Sequence, residues 1–309
     1  MNKTLVIGGT GFIGSNLSNY LINEGIEVTI IRKSKSFKSN YEISNSCKIL
    51  CANIANYKEL LDLNIEWDFN FVINASGYGD HSKFSNTDND IINSHFLGVI
   101  NIVRILKKEY LKRYIHIGSG EEYGKRKHPS TEILREESYT PYAFSKTAAT
   151  HFLQMLYRSE NFPSVILRPF LVYGNNQAKK KLIPYIIDKC LKNENILLTG
   201  GNQVRDFIHI NDLISAIKLI CNSKENYING EIYDVSAGDI MTVKEITKKI
   251  QNIIEGGKPI YGSKILRDTE GQSLYSNSKK LRDHLNWQPQ VKLDSGLKEM
   301  ISYRKKFSI

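Results

Sequence analysis

The chain has 309 residues, of which 41% are hydrophobic and 24% are charged, a balance typical of folded globular proteins rather than of disordered chains. Its 42 Lys and Arg residues exceed its 32 Asp and Glu residues, so the net charge is +10. A basic surplus attracts anions of every kind, including nucleic acids, acidic lipids and phosphorylated small molecules. Composition therefore indicates one large or two modest globular domains and leaves the anionic partner open.

The four cysteines lack the spacing of a metal or disulfide site. Cys47 and Cys51 flank a predicted strand, and four residues of strand separate their Cα atoms by roughly 13 Å, too far for a disulfide. We therefore predict free thiols in a reducing compartment and no metal site. No apolar run approaches the ~20 residues that span a bilayer, and the first strand begins too close to Met1 for a signal peptide. The expected location is the cytoplasm, with no membrane partner.

Apolar runs and helical patterns alternate along the first half of the chain. The apolar run 4–7 leads into a glycine-rich turn, a helical pattern that ends at Gly25, and a second strand at 26–31, which together make a βαβ unit. Further strands are predicted at 48–50, 69–74, 113–117 and 164–167, and helices at 57–63, about 88–110 and 142–159. This alternation predicts an α/β fold with a Rossmann-type, doubly wound parallel sheet, whose ligand-binding turns gather at one edge.

After Pro169 the pattern becomes less regular. Short strands and glycine-rich turns mix with helical stretches at 182–192, 212–221 and 243–254. We therefore predict a dinucleotide-binding domain over residues 1–168 and a smaller α/β substrate lobe over residues 169–309, with some segments of the second range returning to the first domain.

The glycine-rich turn 8–14 predicts a dinucleotide site, because it follows a strand and opens a helix. Glycine at 8 and 11 allows the backbone to approach a pyrophosphate, and Gly14 allows the helix to pack on the sheet. A plain tight turn is the alternative. The predicted cofactor contacts in this turn are Gly8, Thr10, Gly11, Phe12, Ile13 and Gly14.

The end of the second strand bears on the choice of cofactor. NAD sites usually place Asp or Glu there, to accept hydrogen bonds from the ribose 2′-hydroxyl. Here the strand ends in Arg32 and Lys33, with Lys35 beyond, and cations of this kind suit a 2′-phosphate. A solvated basic loop is the alternative. The missing acid favours NADP(H), with NAD(H) as the other possibility.

Three residues have the chemistry of a proton-transfer site. Tyr142 and Lys146 lie four residues apart at the start of a predicted helix, so their side chains share a face. A Lys cation beside a phenol lowers the phenol pKa from about 10, which makes proton exchange feasible near neutral pH. Ser119 follows the strand 113–117 at the ligand edge, where its hydroxyl can polarise a carbonyl. A chance Tyr–Lys pair and an ordinary turn serine are the alternatives.

Six segments, in this order, resemble the extended short-chain dehydrogenase/reductases, in the NAD-dependent epimerase/dehydratase branch that acts on nucleotide sugars. The segments are GGTGFIG at 8–14, IGSGEEYG at 117–124, YAFSK at 142–146, LRPFLVYG at 167–174, RDFIHINDL at 205–213 and LNWQP at 285–289. The resemblance implies that Tyr142 is the acid/base, that Lys146 holds the nicotinamide ribose and tunes Tyr142, and that Ser119 contacts the reacting oxygen of a nucleotide sugar.

The resemblance also implies that Arg205 grips the nucleotide diphosphate, together with Arg267. Family members are often dimers packed through two long helices, so a homodimer is expected by analogy. The remaining implied contacts are Asn53, Ile54, Ala75 and Pro169 for the cofactor, and Gly120, Glu121 and Leu171 for the substrate.

Four residues depart from the family pattern. Asn53 replaces a common Asp, Leu171 replaces an Asn, and Asn175 replaces a Pro. His95 replaces an Asn in the long helix, and we expect a packed histidine there rather than a catalytic one. These changes concern the substrate contacts rather than the fold.

The family performs several reactions on a nucleotide-linked hexose. Dehydratases add an Asp-Glu acid/base pair after the Ser or Thr, whereas Ser119 is followed by Gly120 and Glu121. Glu121 is therefore either an additional base or, like Glu122, part of a solvated turn. Arg32 and Lys33 fit NADPH, the hydride donor of a reductase, and IGSGEEYG resembles the segment of 4-ketoreductases.

The sequence thus predicts NADPH-dependent reduction of the 4-keto group of a nucleotide-linked 4-keto-6-deoxysugar, supplying surface polysaccharide synthesis. The alternatives are a 4-epimerase, dehydratase or 4-dehydrogenase with tightly held NAD, and a non-catalytic NADP-binding regulator. No RNP-like or zinc motif is present, so nucleic acid is not an expected partner.

Overall fold

The computed structural model describes residues 3–33, 43–77, 79, 82–85, 89–126 and 128–307. The chain divides into two compact units and crosses between them five times. One of these crossings follows Arg168, at the predicted domain boundary. Residues 125–135, expected in the first domain, belong to unit 2. Unit 1 comprises Met1–Gly124, Glu136–Arg168 and Ile217–Tyr233, and unit 2 comprises Lys125–Arg135, Pro169–Ala216 and Asp234–Ile309.

Unit 1 is built on a seven-stranded sheet with the order β3-β2-β1-β4-β5-β6-β10. Neighbouring strands from β3 to β6 pair in parallel, so the predicted Rossmann-type fold is confirmed. The order reverses between β1 and β4, and such a reversal forms a ligand crevice at the carboxyl ends of the two strands. The strands are β1 (Lys3–Ile7), β2 (Glu27–Arg32), β3 (Lys48–Cys51), β4 (Phe71–Asn74), β5 (Arg113–Ile117), β6 (Ser164–Pro169) and β10 (Ile232–Val235).

The central strands of this sheet are buried along their whole length. Every residue of β4, β5 and β6 is buried, as expected where helices cover both faces of a parallel sheet. Leu5, Val72, Val99 and Leu153 belong to one hydrophobic cluster that joins the strands to the helices. The helices are α1 (Phe12–Asn23), α2 (Tyr57–Leu61), α3 (Asn89–Ile92), α4 (Gly98–Ile105) and α5 (Pro141–Glu160).

The helix predicted over about 88–110 is shorter and interrupted in the structure. A π-helical segment, Asn93–Leu97, separates α3 from α4, and Lys108–Tyr110 is a 3₁₀ turn; Asp88 lies outside the described residues. Leu106 leaves the helix in an extended conformation, and both Leu106 and Leu111 are buried in the hydrophobic cluster. The chain must change direction between Leu106 and Leu111 to bury both side chains in the cluster. A continuous helix would not allow both leucines to reach it.

Unit 2 has a small sheet in which β9 pairs with β7, β11 and β13, and a second pair formed by β8 and β12. Helices α6, α8 and α10 surround a separate cluster that includes Ile187, Phe207, Ile246 and Leu297. Helix α7 contributes residues to both units. The elements are β7 (Leu171–Tyr173), α6 (Leu182–Leu191), β8 (Asn195–Leu197), β9 (Val204–His209), α7 (Ile210–Asn222), β11 (Ile240–Thr242), α8 (Val243–Ile254), β12 (Lys258–Ile260), β13 (Ser273–Leu274), α9 (Lys279–Leu285) and α10 (Leu293–Phe307).

Within the described part of the chain, no helix is both long enough and apolar enough to cross a lipid bilayer.

Candidate functional site

The turn between β1 and α1 is too tight for any side chain at two of its glycines. A Cβ on Gly8, whose φ is +75°, would lie 2.8 Å from the Ala75 carbonyl oxygen, and a Cβ on Gly14 would lie 2.3 Å from the Gly8 carbonyl oxygen. Gly11 begins α1 without a side-chain cap. The first turn of α1, which contains Phe12 and Ile13, therefore has no side chain capping its N-terminus. A helix N-terminus of this kind suits an anion, because its backbone N–H groups can donate to the ligand. These residues fit the pyrophosphate of a dinucleotide.

The predicted nucleoside contacts lie at the ends of the next strands. Arg32 ends β2, and its Nε donates to Cys51 Sγ at 3.3 Å. Lys33 is exposed, with its Nζ 4.0 Å from a carboxylate oxygen of Asp90; Lys35 lies outside the described residues. Arg32 and Lys33 thus stand where the family's fold places the adenosine ribose, although the Arg32 guanidinium already has a partner.

Two further predicted cofactor contacts have roles within unit 1. The Oδ1 of Asn53 accepts a hydrogen bond from the backbone N–H of Ala55 at 3.2 Å, so it closes a local turn. The carbonyl of Ile54 accepts from Asn101 Nδ2 at 2.9 Å, which ties the β3 end to α4. Thr10 is buried within the glycine-rich turn. Contact of these residues with a cofactor stays a prediction.

The three predicted catalytic residues come together in unit 1. Ser119 follows β5 and caps the 3₁₀ turn Gly120–Tyr123, with its Oγ accepting from Glu121 N at 3.1 Å. Tyr142 lies in the first turn of α5, and its side chain is hydrogen-bonded to that of Ser119. One turn later, Lys146 Nζ donates to the Ile117 carbonyl at 2.6 Å. The helix begins here because Thr140 Oγ1 caps Ala143 N and Pro141 suits the first helical position.

The predicted lowering of the Tyr142 pKa by Lys146 is wrong. Desolvation raises the pKa of Tyr142, the charge of Glu121 raises it further, and the hydrogen bond with Ser119 lowers it only in part. Burial lowers the pKa of Lys146 to about 8, although the charge of Glu122 opposes this. The Lys146 ammonium is hydrogen-bonded to a backbone carbonyl of β5, and burial of the phenol is the largest cause of the raised Tyr142 pKa.

His95 packs directly against Tyr142. It lies in the π-helical segment, is 2% exposed, and its ring meets the Tyr142 ring edge-on with centroids 5.1 Å apart. A Cβ on Gly77 would lie 1.9 Å from the His95 ring, so only glycine is compatible with this packing. The predicted packed histidine is confirmed.

Sequence analysis missed a buried ion-pair network beside Ser119. Glu122, for which a solvated turn was one interpretation, is 0% exposed and pairs with the equally buried Arg168 at 2.7 Å. Arg168 also pairs with Glu136 at 2.6 Å. Both Glu122 and Arg168 lie in segments that resemble the family, but no sequence pattern indicates that residues 46 positions apart are partners.

Unit 2 has its own charged cavity, of about 700 Å³. Arg205 is 6% exposed and lies beside it, with its guanidinium 2.7 Å from Glu270, which also pairs with Arg267 at 3.4 Å. Asp206, the next residue in the sequence, accepts hydrogen bonds from the backbone N–H groups of Ala237 and Gly238. The titratable residues that line the cavity are Lys125, Arg126, His128, Arg267, Asp268 and Glu270.

Two other predicted contacts, Pro169 and Leu171, lie at the β6–β7 connection, and Asn175, which departs from the family pattern, follows shortly after. Pro169 ends β6 and Leu171 begins β7, and Leu171 packs against the hydrophobic cluster of unit 2. Asn175 Nδ2 donates to Glu299 at 2.6 Å. On the unit 1 side, Glu121 is half-buried and acts electrostatically on Tyr142.

Residues 4–236 match the NAD dependent epimerase/dehydratase family, and the chain belongs to this family. A putative UDP-glucose 4-epimerase of Methanocaldococcus jannaschii is 30% identical over 312 residues, covering 97% of this chain and 98% of the relative. The dTDP-glucose 4,6-dehydratase of Haemophilus influenzae is 24% identical over 337 residues, with 98% of each chain covered. The crystal structure of UDP-glucuronic acid 4-epimerase from Bacillus cereus, in complex with UDP-glucuronic acid and NAD, has a TM-score of 0.87 at 23% identity over 99% of each chain, which supports the fold.

Proposed function

We propose that this chain is a nucleotide-sugar 4-epimerase with a resident NAD. The observation that supports this most directly is the cluster of Ser119, Tyr142 and Lys146 at the end of β5. Tyr142 and Ser119 act on one oxygen, and inversion at one carbon requires proton transfer at that oxygen alone. The names of the relatives also favour an epimerase or dehydratase with NAD over the 4-ketoreductase that the sequence predicts.

The residues of unit 1 divide the proton chemistry among them. Bound NAD would serve as a reversible acceptor for the hydride that leaves the sugar carbon. Tyr142, in its phenolate form, removes the proton of the C4 hydroxyl as the C4–H bond breaks, and the neutral phenol returns that proton to the same oxygen when the bond re-forms on the opposite face. Ser119 Oγ donates a hydrogen bond to this oxygen, and the Lys146 ammonium contributes positive charge that stabilises the phenolate from which Tyr142 starts. In unit 2, Arg205 and Arg267 bind the diphosphate, which replaces Glu270 as the partner of their guanidinium groups.

The neighbours of Ser119 argue against a dehydratase. By resemblance, dehydratases place an Asp-Glu pair directly after the Ser or Thr, and here Gly120 occupies the first of these positions. Glu122 cannot supply the missing acid, because its carboxylate is fully buried and held by Arg168. Among the residues that the structure describes, Glu121 is the remaining carboxylate that acts on Tyr142, and one carboxyl group does not replace the pair.

A 4-ketoreductase remains the second candidate function, because Arg32 and Lys33 stand where NAD sites place an acid. Replacement of Arg32 by Ala separates the two functions. If Arg32 binds a 2′-phosphate, the variant loses affinity for NADPH and keeps its affinity for NADH. The proposed epimerase predicts that wild-type protein binds NADH at least as tightly as NADPH.

Turnover of UDP-glucose deuterated at C4 tests the proposal. We expect its C4 epimer, with the deuterium retained and no net consumption of NADH or NADPH, and we expect Tyr142→Phe to abolish the conversion. Unlabelled UDP-glucuronic acid and dTDP-glucose serve as further substrates. Failure to form a 4-epimer from any of the three, or a product formed only when NADPH is consumed, would contradict the epimerase.

A further inference from the structure

We propose that Glu122 is a positioning residue for this reaction: its buried carboxylate, anchored by Arg168, fixes the backbone of Ser119 so that Ser119 Oγ is aimed at the reacting oxygen. The inference rests on the proposed role of Ser119. The inference gives a role to the Glu122–Arg168 ion pair, which the proposed cofactor and substrate contacts do not include.

The two oxygens of Glu122 have separate tasks. Oε1 accepts the backbone N–H of Ser119 at 2.9 Å. Oε2 accepts from Thr150 Oγ1 at 2.9 Å and from Arg168 Nε and Nη2 at 2.9 and 2.7 Å. One oxygen is thus anchored to α5 and β6, and the other holds the residue that follows β5. Rotation of the carboxylate would break hydrogen bonds at both ends.

The anchor is itself rigid and charged. Arg168 is 0% exposed, its guanidinium lies 4.7 Å from the Tyr123 ring centroid, and it also bonds Glu136 at 2.6 Å. Burial alone would lower the pKa of Arg168, but the charge of Glu122 and further partners raise it well above its ordinary value. Burying this cation without a carboxylate would be costly, and Glu122 supplies one of the two carboxylates that pair with it.

Gly118 shows that the backbone is shaped around this carboxylate. A Cβ at Gly118 would lie 2.4 Å from Glu122 Oε1, so any other residue would push the carboxylate away from Ser119 N. Ser119 Oγ in turn accepts from Glu121 N at 3.1 Å and is bonded to Tyr142. The orientation of the hydroxyl therefore depends on a chain of contacts that begins at Glu122.

Glu122 acts through Ser119 rather than on the substrate. Its side chain is fully buried, and four donors from Ser119, Thr150 and Arg168 surround its two oxygens. A carboxylate held in this way has neither access to solvent nor freedom to accept a substrate proton.

Glu122→Gln and Glu136→Gln form a matched pair of variants. Each removes one carboxylate charge from Arg168, but only Glu122 contacts Ser119. For UDP-glucose turnover we expect Glu122→Gln to lower kcat about 10- to 100-fold with little change in KM, because the serine is misplaced, while Glu136→Gln retains a kcat close to wild type. If Glu122→Gln does not fold, Glu122→Asp, which keeps the charge on a shorter side chain, replaces it. Equal losses in the Glu122 and Glu136 variants would overturn the proposal.

Combination with Ser119→Ala provides a second readout. If Glu122 acts through the serine hydroxyl, Glu122→Gln has no further effect on kcat once Ser119 is Ala, so the two losses are not additive. A purely structural Glu122 would give additive losses, and this result would overturn the proposal. Wild-type kcat in Ser119→Ala alone would instead contradict the proposed function.

Hydrogen exchange tests the contact without any substrate. We expect the Ser119 amide to exchange faster in Glu122→Gln than in wild type, and to be unchanged in Glu136→Gln. Unchanged exchange in Glu122→Gln would overturn the proposal even if the substrate assigned to the enzyme were wrong.

Discussion

At the scale of single residues, Lys146 combines burial with a positive charge. It is 4% exposed, and burial lowers its pKa from 10.5 to about 8. Between these two values the unfolded chain binds more protons at this residue than the folded protein does, so the Lys146 contribution makes stability rise with pH. Below pH 8 the full cost of burying the charge remains.

Replacing Lys146 by Met should therefore stabilise the protein. We expect the free energy of unfolding to rise by up to about 3 kcal/mol near neutral pH, because each pKa unit corresponds to about 1.4 kcal/mol. The gain should shrink as the pH rises through the window from about 8 to 10.5. Urea denaturation at several pH values measures it, and Lys279→Met, which alters an exposed lysine on α9, is the control. A gain in unfolding free energy that does not depend on pH would contradict the lowered pKa of Lys146.

The sequence indicated which candidate catalytic residues come together but not the environment that surrounds them. Ser119 and Tyr142 were predicted from their places after a strand and at the start of a helix, and they are hydrogen-bonded in the structure. The pKa of Tyr142 could not be predicted, because desolvation depends on His95 and other neighbours that residue spacing does not specify. Glu122 and Arg168 were missed for the same reason.

At the scale of elements, the β1–α1 turn is sensitive to a single added methyl group. Gly14→Ala places a Cβ 2.3 Å from the Gly8 carbonyl oxygen, so α1 must move away from β1. We expect a loss of about 1–3 kcal/mol in stability, as for other overpacked sites, and a clear loss of NADH affinity measured by fluorescence titration.

Gly25→Asn is the matched control for this change. Gly25 has a φ of +75° and no neighbour within 4 Å of its Cβ position, and Asn tolerates the left-handed conformation. We expect NADH affinity to be unchanged. A Gly14→Ala protein that binds NADH as the wild type does would contradict the proposed pyrophosphate site.

The alternation of strands and helices in unit 1 was predictable because each strand is a short apolar run between turns. The break in the long helix was not predictable. The sequence around Asn93–Leu97 has continuous helical character, whereas the structure forms a π-helical segment there that accompanies the packing of His95 on Tyr142. Tertiary contacts decide such local departures from a helix.

At the scale of the whole molecule, the assignment of segment 125–135 to unit 2 could not be predicted, because composition does not change there, whereas returning segments of the second range, such as 217–233, were expected without specific bounds. The cavity of unit 2 is bounded in part by the first of these segments, through Lys125, Arg126 and His128. Sequence reasoning named Arg205 and Arg267 but not the other cations of this cavity.

Replacing Arg205 by Gln tests the proposed nucleotide site of unit 2. We expect affinity for UDP, measured by calorimetry, to fall about 10- to 100-fold, because hydrogen bonds to charged groups contribute about 1.5–3 kcal/mol. Lys279→Gln, which alters an exposed ion pair on α9, should leave the affinity unchanged. UDP binding that is the same in both variants would place the nucleotide elsewhere.

We propose that the chain holds NAD through its catalytic cycle. The most direct measurement is to denature the purified protein, identify and quantify the nucleotide released, and titrate the emptied protein with NADH and NADPH. We expect about one NAD per chain and no preference for NADPH. A protein that releases no NAD and binds NADPH much more tightly than NADH would contradict this proposal and would support the 4-ketoreductase.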